Sequence, residues 1–455
     1  MHRIGLSRLV LSAVFLLFSH LSLHSDSPEH PPLFPLRVSD NHRYLVDQTG
    51  TPFLVHGDSA WSLIVQLDLN ETALYLDRRK AQGFNSILTN LIEHRFADNP
   101  PLDAFGETPF GQPGDFSKPD DRYFSHAAAV IELAARRGMA VFLVPAYLGI
   151  GGDEEGWYHE IRKTGRETLR QYGTYLGRKY GGFPNIVWVL GGDFTPPLLD
   201  RWTVDELAAG IREGGSRQLM TAHCGQEPPA IHFGNRGWLD LNNVYSYAPE
   251  LSPALRSEYE RRPIRPFILI ESIYEGDYRA SAQRIRRQAY TTLLNGAAGH
   301  FFGSNPVWNF SSPVKGFPTQ VAWQTALDSQ GSVDMSYVWR FFSRLKWAEL
   351  LPEGGDRFVA RLTGESDSIP AVAAATRDGN LLVIYILDGG SGRLTLDLSS
   401  FAGDLRAFWY DPTCGMNTTA AIVTSPSNRQ VSISIPGNNS SGERDWLLVV
   451  HSGDK

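Results

Sequence analysis

The sequence predicts an α/β fold: a (β/α)8 TIM barrel followed by a C-terminal all-β sandwich domain. Three observations predict it. Short apolar runs alternate with helical patterns from about residue 53 to residue 304, and eight such runs can be counted. After about Leu350 the helical pattern stops and short alternating strands take over. The 455 residues leave room for both units.

The elements follow in order. The chain begins MHRIGLSRLVLSAVFLLFSHLSLHSDSPEHPP. Arg3 and Arg8 give a positive end and Leu9 to Phe18 an apolar stretch, so residues 1–27 read as a secretory signal peptide. A short N-terminal anchor is the alternative, although the run falls short of the roughly 20 residues that span a bilayer. No second run could span one. The expected location is therefore secreted, periplasmic or extracellular.

The barrel domain is expected over residues 36–350. Its entry, LRVSDNHRYLVDQTGTPFLVHGD, has a turn cluster from Asp47 to Pro52 between two apolar runs, as in a hairpin. Phe53 to His56 is the first predicted barrel strand. A helix from about Asn70 to Gln82 stops at Gly83 and leads into Phe84 to Leu91. A helix from about Arg122 to Arg137 stops at Gly138, before Ala140 to Tyr147. A helix from about Lys163 to Tyr180 precedes Ile186 to Leu190, and one over Thr203 to Glu213 precedes Gln218 to His223. Asn243 to Tyr247 and Pro266 to Glu271 are strands six and seven. A helix over Ala280 to Asn295 leads to His300 to Ser304, the eighth.

The sandwich is expected over residues 356–455, joined near Pro352 to Gly355. Its strands read VAAAT, LLVIYIL, LTLDL, LRAFWY, VSISI and DWLLVV, with a hairpin turn at Asp378-Gly379-Asn380.

Composition narrows the function. A net charge of -7 argues against nucleic acid and anionic membranes as partners. The 11 Trp and 17 Tyr suit a sugar-binding cleft and a large core alike. Cys224 and Cys414 fall in different expected domains and read as free thiols, which leaves no disulfide framework and no cysteine cluster for zinc. Sequons stand at Asn70, Asn309, Asn417, Asn438 and Asn439. Oligomeric state stays open.

In a barrel the chemistry sits at the C-terminal ends of the strands. Strand four ends in NIVWVLGGDFTPP, where two glycines free the backbone just before Asp193. Alone, that acid is a loop cap or a working group. Strand seven ends in FILIE, and Glu271 gives Asp193 a partner. Two carboxylates above one mouth suit glycoside hydrolysis, in which one protonates the leaving oxygen and the other attacks the anomeric carbon or activates water. Trp61, Tyr147, Tyr247 and Trp308 are candidate platforms for a carbohydrate substrate. Asn90, His223 and His300 are candidate partners for its hydroxyls. Each of the seven also fits plain core packing. A metal site built from His56, Asp58, His94 and His223 is the rival. It lacks the His-x-His that such barrels carry on strand one, where this sequence has His-Gly-Asp, so no metal and no cofactor are expected.

Four stretches carry a resemblance: HGDSAW, YLDRRKAQGFNSI, NIVWVLGGD and LNGAAGHFFGSNPVWNF. They resemble the apiosidase-like glycoside hydrolases, glycoside hydrolase family 140 and its relatives. The resemblance runs from about residue 36 to the end. It implies a (β/α)8 barrel joined to a β-sandwich labelled as a collagen-binding domain of a collagenase, a label that does not show collagen to be bound. It implies a retaining mechanism with Asp193 as acid/base and Glu271 as nucleophile. Family members studied for activity release apiose from plant pectin side chains, so the expected reaction cleaves a glycosidic bond in a plant or other polysaccharide side chain. The alternative is a catalytically silent carbohydrate-binding protein on the same fold, which the presence of both acids argues against.

Overall fold

The structure is a computed structural model. It describes residues 31–311, 321–353, 359–363, 370–390, 392–399, 401, 404–424 and 430–452. The expected signal segment lies outside the described residues.

Eight parallel strands form the barrel: β1 (Val55–Ser59), β2 (Ser86–Asn90), β3 (Ala140–Val144), β4 (Ile186–Gly191), β5 (Met220–His223), β6 (Asn242–Tyr245), β7 (Phe267–Glu271) and β8 (Gly299–Phe302). Nearly every residue in them is buried, which explains the unbroken apolar runs. The ladder runs β5-β4-β3-β2-β1-β8-β7-β6. The seam between β5 and β6 is bridged by a side chain. Asn243 Nδ2 donates to Thr221 Oγ1 at 3.0 Å and to the Ala222 carbonyl at 2.7 Å.

Alternation sorts the side chains into two layers. Val55, Leu88, Phe142, Val187, Val189, Ile268, Ile270 and Phe301 fill the interior. Ile87, Trp188, Leu190, Met220 and Phe302 pack outward against helices. The expected hairpin forms part of a three-stranded sheet (Arg37–Val38, Leu45–Val46, Pro52–Phe53). Asp47 Oδ1 accepts from the Thr49 and Thr51 N–H groups at 2.8 and 3.1 Å, which pins the turn. Leu36, Leu45 and Phe53 belong to the interior cluster, so this sheet plugs the end of the barrel away from the strand C-termini.

The helices Leu69–Ala81, Asp121–Arg136, Trp202–Glu213 and Ala282–Leu294 stand within two residues of expectation. Asp68 and Glu71 make a capping box on the first. The single helix expected from Lys163 is two, Tyr158–Thr164 and Arg166–Tyr180, broken where Gly165 takes φ 86°. Ser252–Glu260 and Gln330–Phe342 are further helices that the pattern did not predict.

The C-terminal unit has a six-stranded and a four-stranded antiparallel sheet facing one core. Leu350–Glu353 is already a strand of it, paired with Ala371–Thr376. The expected join at Pro352 to Gly355 therefore begins inside a strand, and the barrel ends a few residues earlier. The strand Leu381–Ile386 is buried on both faces. Leu382, Ile384 and Ile386 face the sandwich core, while Val383 and Tyr385 pack with Tyr290 and Phe342 of the barrel's helices. A buried ionic cluster adds to this contact. Arg286 on the barrel bonds Asp334 Oδ2 at 2.9 Å and Asp445 Oδ2 of the sandwich at 2.7 Å, and Tyr385 donates to Asp445 Oδ2 at 2.8 Å.

Candidate active site

The end of β4 shows what the two glycines do. Gly191 takes φ 88° and Gly192 φ 137°, both disfavoured for side-chain-bearing residues. A Cβ on Gly192 would sit 2.2 Å from the Tyr147 ring, and one on Gly191 2.6 Å from the His223 carbonyl. The turn lets Tyr147 close on the backbone and delivers Asp193, itself at φ 44°, into the mouth. There Tyr147 donates its hydroxyl proton to Asp193 Oδ2 at 2.8 Å.

Glu271 reaches the same place by another device. Ile268 and Ile270 face the interior, so strict alternation would turn Glu271 outward. The β7–β6 register shifts between Leu269 and Glu271, and this irregularity re-aims the carboxylate inward. His223 Nε2, at the end of β5, lies 2.9 Å from Glu271 Oε2. Tyr247 donates to Glu271 Oε1 at 3.3 Å.

The nearest donor atoms of Asp193, His223 and Glu271 all lie within 4.8 Å of one another. Retaining glycosidases hold their carboxyls about 5–5.5 Å apart, and inverting ones about 6.5–9.5 Å. Burial first, then the Glu271 charge, raises the Asp193 carboxyl to about 7. Burial opposes a charged His223, yet the two carboxylates beside it hold its pKa above the ordinary value. Burial and the same acids push Tyr147, Tyr245, Tyr247 and Tyr274 far upward, so all four stay protonated donors.

Around these groups stand aromatic rings. Trp61 donates through Nε1 to the Tyr274 hydroxyl at 2.6 Å, and its ring meets Tyr147 and His223 edge-on. Tyr245 lies 5.0 Å from His223, ring centre to ring centre. Trp308 reaches the group through Phe96, which contacts both Trp308 and Tyr147 at 5.4 Å. Trp61 and Tyr147 are buried, whereas Tyr247 is 40% exposed and offers an open ring face.

The structure thus gathers Asp193, Glu271, Trp61, Tyr147, His223, Tyr247 and, at one remove, Trp308. Asn90 faces the mouth by alternation with Leu88, but it is fully buried and its amide donates to Glu93 Oε1 at 3.3 Å. His300 is not brought to the pair. Its neighbour Phe301 faces the interior, so His300 faces out and bonds His56 at 3.0 Å. His56 in turn stacks on Phe84 and Trp339. Asp58, on the same outward face as His56, accepts from Arg79 at 2.7 Å and Tyr75 at 2.5 Å, and His94 lies 3.2 Å from Glu160. Of the four residues in the rival metal set, His223 alone reaches the acids.

Three site residues escaped the sequence reading. Tyr245 shares a face with Asn243 on β6, a signal that was present. Tyr274 and Glu93 lie in loops beyond strand ends, where no periodicity points. Glu93 is buried, accepts from Ser62 at 2.7 Å and from the Ala97 N–H at 2.9 Å, and burial pushes it to about 7.

A family model described as "Apiosidase-like, catalytic domain" matches residues 39–349. A second, described as "Putative collagen-binding domain of a collagenase", matches residues 361–451. A solved structure described as "Glycoside hydrolase" is 24% identical with a TM-score of 0.78, covering 92% of this chain and 97% of its own. A glycoside hydrolase family 5 structure from Bacteroides vulgatus is also 24% identical at 0.78, covering 92% and 93%. A maltogenic α-amylase from Thermotoga neapolitana is 11% identical at 0.53, covering 88% and 98%. At these identities the likenesses show the fold. No curated protein matches the sequence.

Proposed function

The chain belongs to the apiosidase-like family of glycoside hydrolases, and from that premise we propose that it retains configuration, with Glu271 as nucleophile and Asp193 as acid and then base. One observation carries the proposal. The strand-end carboxylates of β4 and β7 come within 4.8 Å of one another, a spacing that suits direct attack. The raised pKa of Asp193 supplies the proton donor, and the bonds from His223 and Tyr247 hold the Glu271 side chain in place.

In the first step a Glu271 oxygen bonds to the anomeric carbon. The glycosidic bond breaks as its oxygen takes the Asp193 proton. In the second, water attacks the same carbon, gives its proton to Asp193 and frees Glu271. Esterification removes the Glu271 charge that had held the proton on Asp193, so Asp193 becomes a carboxylate able to act as base.

For the substrate we propose a glycoside in a side chain of a plant or other polysaccharide, with apiose-bearing pectin chains the first to assay. Action outside the cytoplasm is part of the proposal and rests on Arg3, Arg8 and the Leu9 to Phe18 stretch. The test is kinetic. Asp193→Ala should lose little on glycosides whose leaving group needs no proton and much on natural linkages, and azide should speed its turnover. Glu271→Ala should be inactive on both. Identical behaviour of the two variants on both substrates would refute the roles.

A further inference from the structure

We propose that His223 is a positioning residue that keeps one proton on Nε2 through the cycle and passes that hydrogen bond from Glu271 to Asp193 when Glu271 is esterified. The proposal rests on the retaining reading above.

The first observation is burial. His223 has no exposed surface, and its Nε2 faces the two acids. The second is how it is held. Its carbonyl accepts from the Gly192 N–H at 2.7 Å, and β5 pairs it with Gly191, so the strand that carries Asp193 fixes its backbone.

The third is the proton on Nε2. That nitrogen faces carboxylate oxygens of Glu271 and Asp193 at 2.9 and 3.4 Å, so it must carry a proton to bond them. Nδ1 stands between the Asp193 main-chain N–H at 3.2 Å and the Cys224 carbonyl at 3.0 Å, so the main chain at the ends of β4 and β5 holds the other side of the ring.

The fourth is an unequal fork. Nε2 lies 2.9 Å from Glu271 Oε2 and 3.4 Å from Asp193 Oδ1. That Asp193 oxygen is buried and has no geometric hydrogen-bond partner among the described residues, while its twin accepts from Tyr147. In the resting enzyme Glu271 takes the shorter bond. Once it becomes an ester, it is a neutral and weaker acceptor, and Asp193 must ionise to activate water. A small tilt then gives Nε2–H a charge-assisted bond to the waiting oxygen. The ring neither gains nor loses a proton. Its titratable neighbours are Asp193 from β4, Glu271 from β7, Tyr245 from β6 and Cys224 beside it, with Tyr147 from β3 behind Asp193.

Two near-isosteric substitutions separate this from packing. His223→Asn keeps a polar group near the Nδ1 position and loses the donor at Nε2. His223→Gln places an amide N–H near Nε2. With an aryl glycoside whose first step is easy, His223→Asn should lower kcat by roughly tenfold to hundredfold, the effect of one charge-assisted hydrogen bond. It should show a burst of aglycone, regain turnover with azide, and move the alkaline limb of kcat/KM to higher pH. His223→Gln should keep most of the activity and show no burst. His223→Ala should follow His223→Asn, with folding of all three checked by thermal unfolding. Equal slowing of both steps, without burst, azide effect or pH shift, would overturn the proposal and leave packing. So would a raised KM at unchanged kcat, which would mark a substrate contact, or identical Asn and Gln variants. The retaining reading fails separately, by an active Glu271→Ala or an azide-insensitive Asp193→Ala.

Discussion

Replacing Asp193 by Asn should stabilise the protein at pH 8 and by less than half as much at pH 5. The folded-state pKa of Asp193 is raised from 3.8 to about 7, by burial first and the Glu271 charge second. An acid whose folded pKa exceeds its unfolded value binds more protons when folded. Its ionisation therefore opposes folding, and stability falls as pH rises from about 4 through about 7. Three units at about 1.4 kcal/mol each set an upper bound of about 4 kcal/mol, and sharing of charge with Glu271 and His223 brings the expected effect down to about 1–4 kcal/mol. Asn keeps the shape and an acceptor for Tyr147, but it cannot ionise. With an unfolding entropy of roughly 2.1 cal/mol/K per residue, the gain is at most about 4 °C in Tm for a chain of this size. Thermal unfolding of both proteins at pH 5 and pH 8 reads it. Equal stability of the two at pH 8, or the same difference at both pH values, would refute the reasoning that Asp193 holds its proton against solvent.

Three further outcomes follow from other parts of the molecule. Gly192→Ala would place a Cβ 2.2 Å from the Tyr147 ring, so kcat/KM should fall by about 100-fold while the protein still folds. Undiminished activity would show that the close approach does not position Asp193. Arg286→Ala should cost about 3–5 kcal/mol in unfolding measurements, because Asp334 and Asp445 would be left buried and unpaired, with turnover per folded molecule retained. Cys224 and Cys414 are free, so two thiols should titrate in denaturant without reductant. In the folded protein Cys224, raised to about 12 by burial, should react far more slowly than Cys414.

The barrel was legible because its strands are buried on both faces and read as apolar runs, each closed by a polar residue. Their bounds moved by a few residues where polar positions such as Asp58 and Ser59 continue a strand by pairing rather than by hydrophobicity. Gln330–Phe342 was missed because Gly331, Ser332, Asp334 and Ser336 dilute its apolar stripe, although Met335, Val338, Phe341 and Phe342 bury one face. Reading strand ends found both acids, but for different reasons. Asp193 follows from its two glycines. Glu271 points inward only because the ladder slips, which no pattern in FILIE shows. The same reading placed His300 in the cleft, and the alternation set by Phe301 sends it outward to His56. His223 was recognised as a site residue, yet its place between two carboxylates needs distances that a sequence does not hold.

The most direct measurement of the central claim is where the sugar goes. Asp193→Ala, quenched during turnover of an activated aryl glycoside and digested, should carry one glycosyl group on the peptide containing Glu271, and the group should disappear when azide is added before the quench. A glycosyl group on any other residue, or an unlabelled enzyme that releases the first sugar with inverted configuration, would contradict the account.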